Sequence, residues 1–257
     1  MADTRVNAPR TARERARAEL TREIKEEAKR QLASVGADGL SLRAVAKALG
    51  MVSSALYRYY PSRDDLLTVL IIDAYNALGA AAEEAIAAPA DAAADGDAVV
   101  GSARARWIAA CYAIRDWARA NPHEYALIYG SPVPGYRAPQ ATVGPATRVP
   151  LAFVALLVSA AASGELSGRE PAGAAAGSPG EPALADGELA AQAAALAATL
   201  QTPDLPPEAL VRGVIAWTQL FGMISFELFG QFVGSFDPPD AFFAYTVAQF
   251  ATFVGLS

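Results

Sequence analysis

Residues 41–67 read SLRAVAKALGMVSSALYRYYPSRDDLL, and their spacing predicts two short helices joined by a tight turn. Ser41 can cap the first helix, and Gly50 follows it at a point where a left-handed backbone would turn the chain. The second helix is predicted over 53–60, because Pro61 disfavours helical angles in the residue before it. The first helix carries apolar residues at i, i+3, i+4 and i+7, namely Leu42, Val45, Ala46 and Leu49. This pattern indicates a helix-turn-helix, which places its second helix in the major groove of DNA.

The polar side of the second helix is the candidate DNA-reading surface. An arginine can pair bidentately with guanine, whereas serine and tyrosine hydroxyls suit phosphates or single acceptors. Two further arginines, Arg43 and Arg63, begin the flanking helices and are expected to contact phosphates. A solvated helix face is the alternative interpretation. The predicted DNA contacts are Ser41, Arg43, Ser53, Ser54, Ala55, Tyr57, Arg58, Tyr59 and Arg63.

These residues resemble the tetracycline-repressor (TetR) family of bacterial regulators, over about residues 13–70. The resemblance implies an all-α protein with an N-terminal three-helix DNA-binding domain and a larger helical domain for ligand binding and dimerisation. The chain departs from the family pattern at Val52, Tyr60 and Arg63, where Ser, Phe and Lys are common. Val52 moves the predicted cap of the second helix to Ser53. The resemblance is carried by Leu49-Gly50, Leu56-Tyr57-x-Tyr59-Tyr60-Pro61-Ser62-Arg63 and Leu66-Leu67.

Composition fits a cytoplasmic helical protein whose charge is unevenly distributed. The chain has 257 residues, 53% of them hydrophobic, without the alternating pattern of strands. Cys111 is the single cysteine, which excludes an intrachain disulfide and fits a reducing compartment. The charged N-terminus is not expected to be a secretory signal, and no uncharged run reaches membrane-spanning length. Residues 1–63 hold 13 Lys/Arg against 7 Asp/Glu, and the remainder holds 8 against 20. A basic end beside an acidic body is typical of a DNA-reading head on a body that does not touch DNA.

The chain is expected to contain two domains and two flexible segments. Residues 1–12 are predicted to be a flexible arm, 13–66 the helix-turn-helix domain and 67–257 the ligand-binding and dimerisation domain. Within the latter, residues 164–187 are rich in Gly, Ala and Pro and predict a flexible loop. Periodicity and capping signals predict helices at about 13–34, 62–88, 98–119, 122–130, 142–163, 188–200, 207–235 and 238–255.

Aromatic residues of the body predict an apolar ligand cavity, although aromatics at helical spacing also simply build cores. Part of this region resembles a TetR subgroup with a Trp-His-Gly signature, in which Phe221 here replaces the His. The role of that His is therefore not carried over. The candidate ligand contacts are Trp107, Tyr112, Trp117, Tyr125, Tyr129, Trp217 and Phe221.

The last helices predict a homodimer. Apolar residues cover nearly every face of residues 211–235, and a helix that is apolar all round must be buried all round. A two-fold interface would match a near-palindromic DNA operator. The candidate interface residues are Leu156, Leu220, Ile224, Leu228, Phe229 and Phe232.

The sequence contains no recognisable catalytic or cofactor chemistry. One His and one Cys make no credible metal site, and no nucleophile–base pair or phosphate-binding loop stands out. The expected function is therefore a ligand-responsive transcription regulator, a repressor by family default, released from its operator by a small apolar or aromatic molecule. The alternative is a ligand-independent DNA-binding or interaction module whose body only dimerises.

Overall fold

The computed structural model describes residues 11–88, 101–166 and 187–257. In these ranges the only β pairing is an isolated bridge between Leu166 and Leu256, which confirms the all-α prediction. The predicted arm at 1–12 and loop at 164–187 lie mostly outside the described residues. The helices are α1 (Ala12–Val35), α2 (Leu42–Ala48), α3 (Ser53–Leu56), α4 (Arg63–Ala87), α5 (Ala103–Ala120), α6 (Pro122–Tyr129), α7 (Val143–Ser163), α8 (Glu188–Leu200), α9 (Pro207–Leu228) and α10 (Asp240–Val254).

Local signals explain most helix ends. The Thr11 hydroxyl accepts from the backbone N–H of Glu14, and the backbone N–H of Thr11 donates to the Glu14 carboxylate, a capping box that starts α1. The predicted limits of α8 agree with the structure. The predicted end of α9 at residue 235 is wrong, because the helix stops at Leu228 and Gly230 follows at φ +76°. A glycine adopts that left-handed backbone without steric cost, although the apolar sequence runs on past it.

The chain divides into two compact units. The first comprises residues 1–74 and 123–142, and the second comprises 75–122 and 143–257. The division at 74/75 and the predicted boundary at 66/67 both fall inside α4, and the division lies eight residues further along the helix. Residues 123–142 belong to the first unit, because Leu127, Val133 and Tyr136 pack against its core. The Tyr136 hydroxyl also lies 2.9 Å from Oγ1 of Thr68 on α4.

The first unit is built around the apolar stripe of α1. Ile24 and Ala28 are fully buried, together with Val45 of α2 and Leu56 of α3. Polar links cross the same unit, since Lys25 of α1 pairs with Asp73 of α4 at 2.7 Å. Removing such apolar side chains from water is the main force that holds these short helices in place.

The second unit has α9 at its centre, because this helix packs against α5, α7, α8 and α10. Its inner side carries Leu220 and Ile224, which are at most 1% exposed. Phe153 of α7 and Phe243 of α10 are equally buried, at 3% and 1% exposure. The aromatic and aliphatic residues of the body thus form one core within a single subunit.

Three helical segments are long and apolar enough to cross a membrane when judged by length and composition alone, namely α4, residues 140–163 and α9. The sequence-based expectation that no apolar segment is long enough to span a membrane is therefore not met when helices are judged by length and composition. Much of that apolar surface is used inside the protein, since Leu66, Leu70 and Leu78 of α4 are buried. Core packing accounts for a long apolar helix without a membrane.

Candidate nucleic-acid interface and ligand crevice

The turn between α2 and α3 has the geometry that the sequence predicts. Ser41 caps α2, its hydroxyl accepting from the backbone N–H of Ala44 at 3.4 Å. Gly50 adopts φ +65°, and the N–H of Met51 then donates to the carbonyl of Ala46 at 2.8 Å. A side chain at Gly50 would be strained in this left-handed backbone. The two helices are thus held by a short turn of fixed shape.

The start of α3 differs from the expectation. Its N-cap is Val52, whose side chain cannot accept a hydrogen bond, and Ser53 is the first helical residue. The predicted cap at Ser53 is therefore wrong. The regular helix ends at Leu56 and continues as tight turns, in which the N–H of Tyr59 donates to the Leu56 carbonyl at 2.8 Å. The region predicted as helix 53–60 is therefore a short helix extended by turns.

The side chains around α3 separate into an anchor and an exposed surface. Leu56 is fully buried and Tyr60 is 6% exposed, so these two hold the element to the core. Ser54, Tyr57 and Arg58 are exposed, while Ser53 and Ala55 are half-buried. Three of the predicted DNA contacts are therefore displayed together on one short element.

Tyr59 and Arg63 are engaged inside the first unit. The guanidinium of Arg17 lies over the Tyr59 ring, 5.6 Å from its centroid, and the ring packs against the core. Arg63 donates to the carbonyls of Ala37 at 2.7 Å and Asp38 at 3.4 Å. The predicted phosphate contact of Arg63 thus competes with a structural role that holds the loop between α1 and α2.

Lys47 is a candidate contact that the sequence reasoning missed. It lies four residues after Arg43 on α2, and both side chains are exposed. Residues at i and i+4 share one face of a helix, so the two cations form a basic edge. No hydrogen bond or ion pair is recorded for either side chain among the described residues. The i, i+4 spacing of Arg43 and Lys47 in the sequence could have indicated this contact.

The predicted ligand residues are divided between the two units. Tyr125 and Tyr129 belong to the first, where their rings lie 5.2 Å apart. In the second, Tyr112 packs edge-on against Phe243 and Trp117 is half-buried on α5. None of these four residues is among those that line the crevice described next.

Trp107, Trp217 and Phe221 lie close to a crevice between α7 and α9. Trp217 lines it directly, and Phe221 packs edge-on against Trp217 with centroids 6.1 Å apart. Trp107 packs against Phe153, another lining residue, at 4.5 Å. The lining is entirely apolar and comes from two helical faces: Pro150, Phe153, Val154 and Leu157 of α7, and Leu210, Gly213, Val214 and Trp217 of α9.

Half of the predicted dimer residues lie in the core of one subunit. Leu156, Leu220 and Ile224 are 2%, 1% and 0% exposed, so they offer no surface to a partner. Their prediction as interface residues was wrong, because the apolar side chains of α9 pack mainly against other helices of the same unit. Leu228 and Phe232 are half-buried, and Phe229 is exposed.

A helix-turn-helix with a basic exposed edge, followed by a larger helical body, is typical of bacterial transcription regulators. Comparison with known proteins gives the family. Residues 24–70 match the family model described as bacterial regulatory proteins of the tetR family, and residues 107–250 match the tetracyclin repressor-like C-terminal domain. The chain belongs to this family, whose members are transcription regulators and not enzymes.

Curated relatives support the assignment over part of the chain. The HTH-type transcriptional regulators Rv1816 of Mycobacterium tuberculosis and Mb1846 of Mycobacterium bovis are each 49% identical over 152 residues. The matched part is 59% of this chain and 61% of each relative. The chain therefore spans less than two thirds of the length of these relatives.

Solved structures share the fold over nearly the whole chain. The crystal structure of SCO4313 has a TM-score of 0.66 and 35% identity, covering 94% of this chain and 100% of that one. A Rhodococcus sp. RHA1 protein of unknown function has a TM-score of 0.61 and 24% identity, over 92% and 95% of the two chains. The second comparison bears on the fold alone.

Proposed function

We propose that the chain binds an operator through α2 and α3 and regulates transcription there. The observation that carries this proposal is the exposed set of Ser54, Tyr57 and Arg58, anchored from behind by buried Leu56 and Tyr60. Arg43 and Lys47 add a basic edge suited to phosphates. Repression is the default sign, following the family resemblance.

Arg58 is proposed to read a base, and its substitution tests the site. We expect Arg58→Ala to weaken operator binding by about 1–3 kcal/mol and to relax the preference at one base pair. The operator would be identified by sequencing DNA recovered with the purified protein, and affinity measured by fluorescence anisotropy. Arg137→Ala is the matched control, since Arg137 is an exposed arginine of the same unit outside α2 and α3. Wild-type affinity in Arg58→Ala would reject the assignment.

We propose further that a small apolar or aromatic molecule binds the second unit and releases the operator. Support comes from the apolar crevice between α7 and α9 and from its neighbouring aromatic residues. A ligand shifts a conformational equilibrium only if it prefers one state, and its coupling to DNA is reciprocal. A ligand-independent body that only dimerises is the alternative.

The crevice offers its own test. A Cβ at Gly213 would lie 3.0 Å from Cδ1 of Leu157, so Gly213→Ala narrows the crevice at its wall. Compounds that raise the melting temperature in a thermal-shift screen should then weaken operator binding by the wild type and act less on Gly213→Ala. If no compound in a broad screen changes operator affinity, the ligand-independent alternative becomes the better interpretation.

The regulator is proposed to act as a homodimer through the outer faces of α9 and α10. Ile215, Phe226, Tyr245 and Phe253 are 43%, 54%, 67% and 43% exposed, an unusual amount of aromatic surface. Gly222 is exposed between the first two, and a Cβ there would meet no atom within 4 Å. Two helices can approach closely at such a position. No charged residue interrupts residues 213–226 or 241–257.

A further inference from the structure

Two buried indole groups near the crevice have no hydrogen-bond partner. Nε1 of Trp217 and Nε1 of Trp107 are both inaccessible, and neither donates to any described acceptor. An indole nitrogen is only a donor, and a buried donor left unpaired costs about 1–3 kcal/mol. Such groups in a folded protein require an explanation, and an acceptor supplied by a bound molecule is one.

Of the two tryptophans, Trp217 is the one that lines the crevice, and no other lining side chain can accept a hydrogen bond from its indole N–H. It lines the crevice together with seven residues, and the described walls contain no oxygen-bearing or charged side chain. Trp107 is not a lining residue, and its ring centroid lies 4.5 Å from that of Phe153, which is one. The surface of the crevice is therefore hydrocarbon, and the covered indole N–H of Trp217 becomes reachable only when an occupant displaces the packing around it.

The same walls exclude an ionised ligand group. A carboxylate or ammonium placed between Phe153, Leu157 and Leu210 would lose its hydration without gaining a countercharge, which is strongly unfavourable. A neutral acceptor oxygen loses much less, and the indole N–H replaces its bond to water. The chemistry of the crevice therefore selects an uncharged acceptor.

The size of the crevice indicates how it would be occupied. Its volume is about 30 Å³, room for roughly two water molecules, so a larger occupant must part α7 from α9. Pro150 lies inside α7 and lines the crevice. A proline cannot donate the i→i−4 hydrogen bond and commonly marks a bend, so α7 has a built-in position at which to yield.

We infer that the crevice between α7 and α9 binds one end of an uncharged, apolar molecule whose ketone or ester oxygen accepts a hydrogen bond from Nε1 of Trp217. The inference deepens the proposed function and rests on it for its regulatory meaning. The binding step can be tested in the absence of DNA. Its chemistry requires two properties of the ligand together, an aliphatic body and a single neutral acceptor.

The test uses the three tryptophans of the chain as reporters. Indole ¹H–¹⁵N spectra of the full-length protein are recorded with pentan-2-one and with 2-methylpent-1-ene, in which a CH₂ group replaces the oxygen. The Trp217 signal, assigned with Trp217→Phe, should move downfield with the ketone and not with the alkene. Trp217→Phe should lower the ratio of ketone affinity to alkene affinity about 3- to 10-fold, since it removes the hydrogen bond made by the ketone alone, whereas the smaller ring affects both probes.

Several results would overturn the inference. One is the absence of any shift at Trp217 with methyl ketones of four to eight carbons. Equal effects of ketone and alkene, or equal ketone binding by Trp217→Phe, would also overturn it, as would a Trp107 signal that alone responds. Operator affinity is measured separately. A ketone that binds at Trp217 without changing operator affinity would reject the proposed ligand response while upholding the binding site.

Discussion

At the scale of single residues, Arg115 is a charged side chain buried almost completely in the second unit, with 2% of its surface exposed. Its guanidinium donates twice to Glu227, at 2.8 and 2.9 Å, and lies 3.0 Å from Oδ1 of Asp240. It also stacks 4.5 Å from the centroid of Phe243. Burial disfavours its charged form, but the hydrogen bonds and charges of Glu227 and Asp240 outweigh burial and raise the pKa of Arg115. The side chain thereby links α5, α9 and the start of α10.

Removing Arg115 alone should destabilise the protein strongly. We expect Arg115→Met to lower the free energy of unfolding by about 3 kcal/mol, because Glu227, with its side chain only 10% exposed, would lose both of its hydrogen bonds and keep only the half-exposed Arg119, 3.7 Å away, as a countercharge. The double variant Arg115→Met/Glu227→Leu should recover most of that loss, since no unpaired charge remains. Urea denaturation measures both. A double variant as unstable as the single one would show that packing, and not the charge, dominates at this junction.

The basic edge of α2 gives a different kind of residue-scale prediction. Arg43→Ala/Lys47→Ala should weaken binding to all duplexes alike and make the salt dependence of operator binding shallower by about two, because each lost phosphate contact contributes nearly one. Affinity measured from 50 to 300 mM salt gives this slope. An unchanged slope would exclude both cations from the interface.

Arg63→Ala separates DNA contact from structural support. It removes the bonds to the carbonyls of Ala37 and Asp38, so it should lower the free energy of unfolding by about 1 kcal/mol, a value reduced by the 30% exposure of the side chain. The sequence predicts the position of Arg63 at a helix start. It does not predict these bonds, because they depend on where the α1–α2 loop folds back. Helix periodicity predicted the exposure of Arg58, and the side chain is exposed although it lies in the turns that follow α3.

At the scale of elements, α4 and α7 are joined by one arginine within the second unit. Arg148 of α7 pairs bidentately with Glu83 of α4 at 2.6 and 2.8 Å and donates to the carbonyl of Asn76 at 2.8 Å. Gly79 makes room for it, because a Cβ there would lie 2.7 Å from Cβ of Arg148. The hydrogen bond and charge of Arg148 hold the pKa of Glu83 below its usual value, against the opposing effect of burial.

This contact predicts a pH dependence of stability. The folded-state pKa of Glu83 lies below its ordinary value of 4.5, so the stability it contributes is present above that pH and is lost as pH falls through the lowered value. Glu83→Gln should therefore be less stable than wild type at pH 7, with the difference shrinking as the pH falls below 4.5. Melting temperatures from pH 7 to 3 measure it. Glu84→Gln, at an exposed neighbouring position, is the control. A difference in melting temperature between the wild type and Glu83→Gln that stays constant with pH would contradict the prediction.

Elements with clear local signals were predictable, and pairings between distant elements were not. The limits of α8 follow from the glycine before it and its run of helix-forming residues. The end of α9 was missed, because the apolar residues Phe229, Phe232 and Val233 continue beyond Leu228. The crevice could not be predicted, since it requires knowing that Pro150 and Gly213 come from faces that pack together. Aromatic content indicated a cavity but not which residues share it.

At the scale of the whole molecule, two surfaces of different chemistry serve two proposed partners. Cations concentrate near the N-terminal helices, where a polyanion would bind, and the outer faces of α9 and α10 carry aromatic side chains without charge. An apolar surface of this kind is costly to leave in water and suits a second copy of the chain. A two-fold dimer of this kind would suit a near-palindromic operator with two half-sites.

Charges placed on this apolar face should separate the subunits. We expect Phe226→Glu/Tyr245→Glu to sediment as a monomer at micromolar concentration, because each subunit would bring two unpaired carboxylates into the interface. Operator affinity should fall well below that of the wild type, since one subunit covers only one half-site. Circular dichroism should still show a folded helical monomer, because both side chains are more than half exposed in a single subunit. Leu189→Glu on α8, at an equally exposed apolar position outside the face, should remain dimeric and bind the operator. A wild-type protein that sediments as a monomer at this concentration, or a double variant that stays dimeric, would rule out α9 and α10 as the dimer interface.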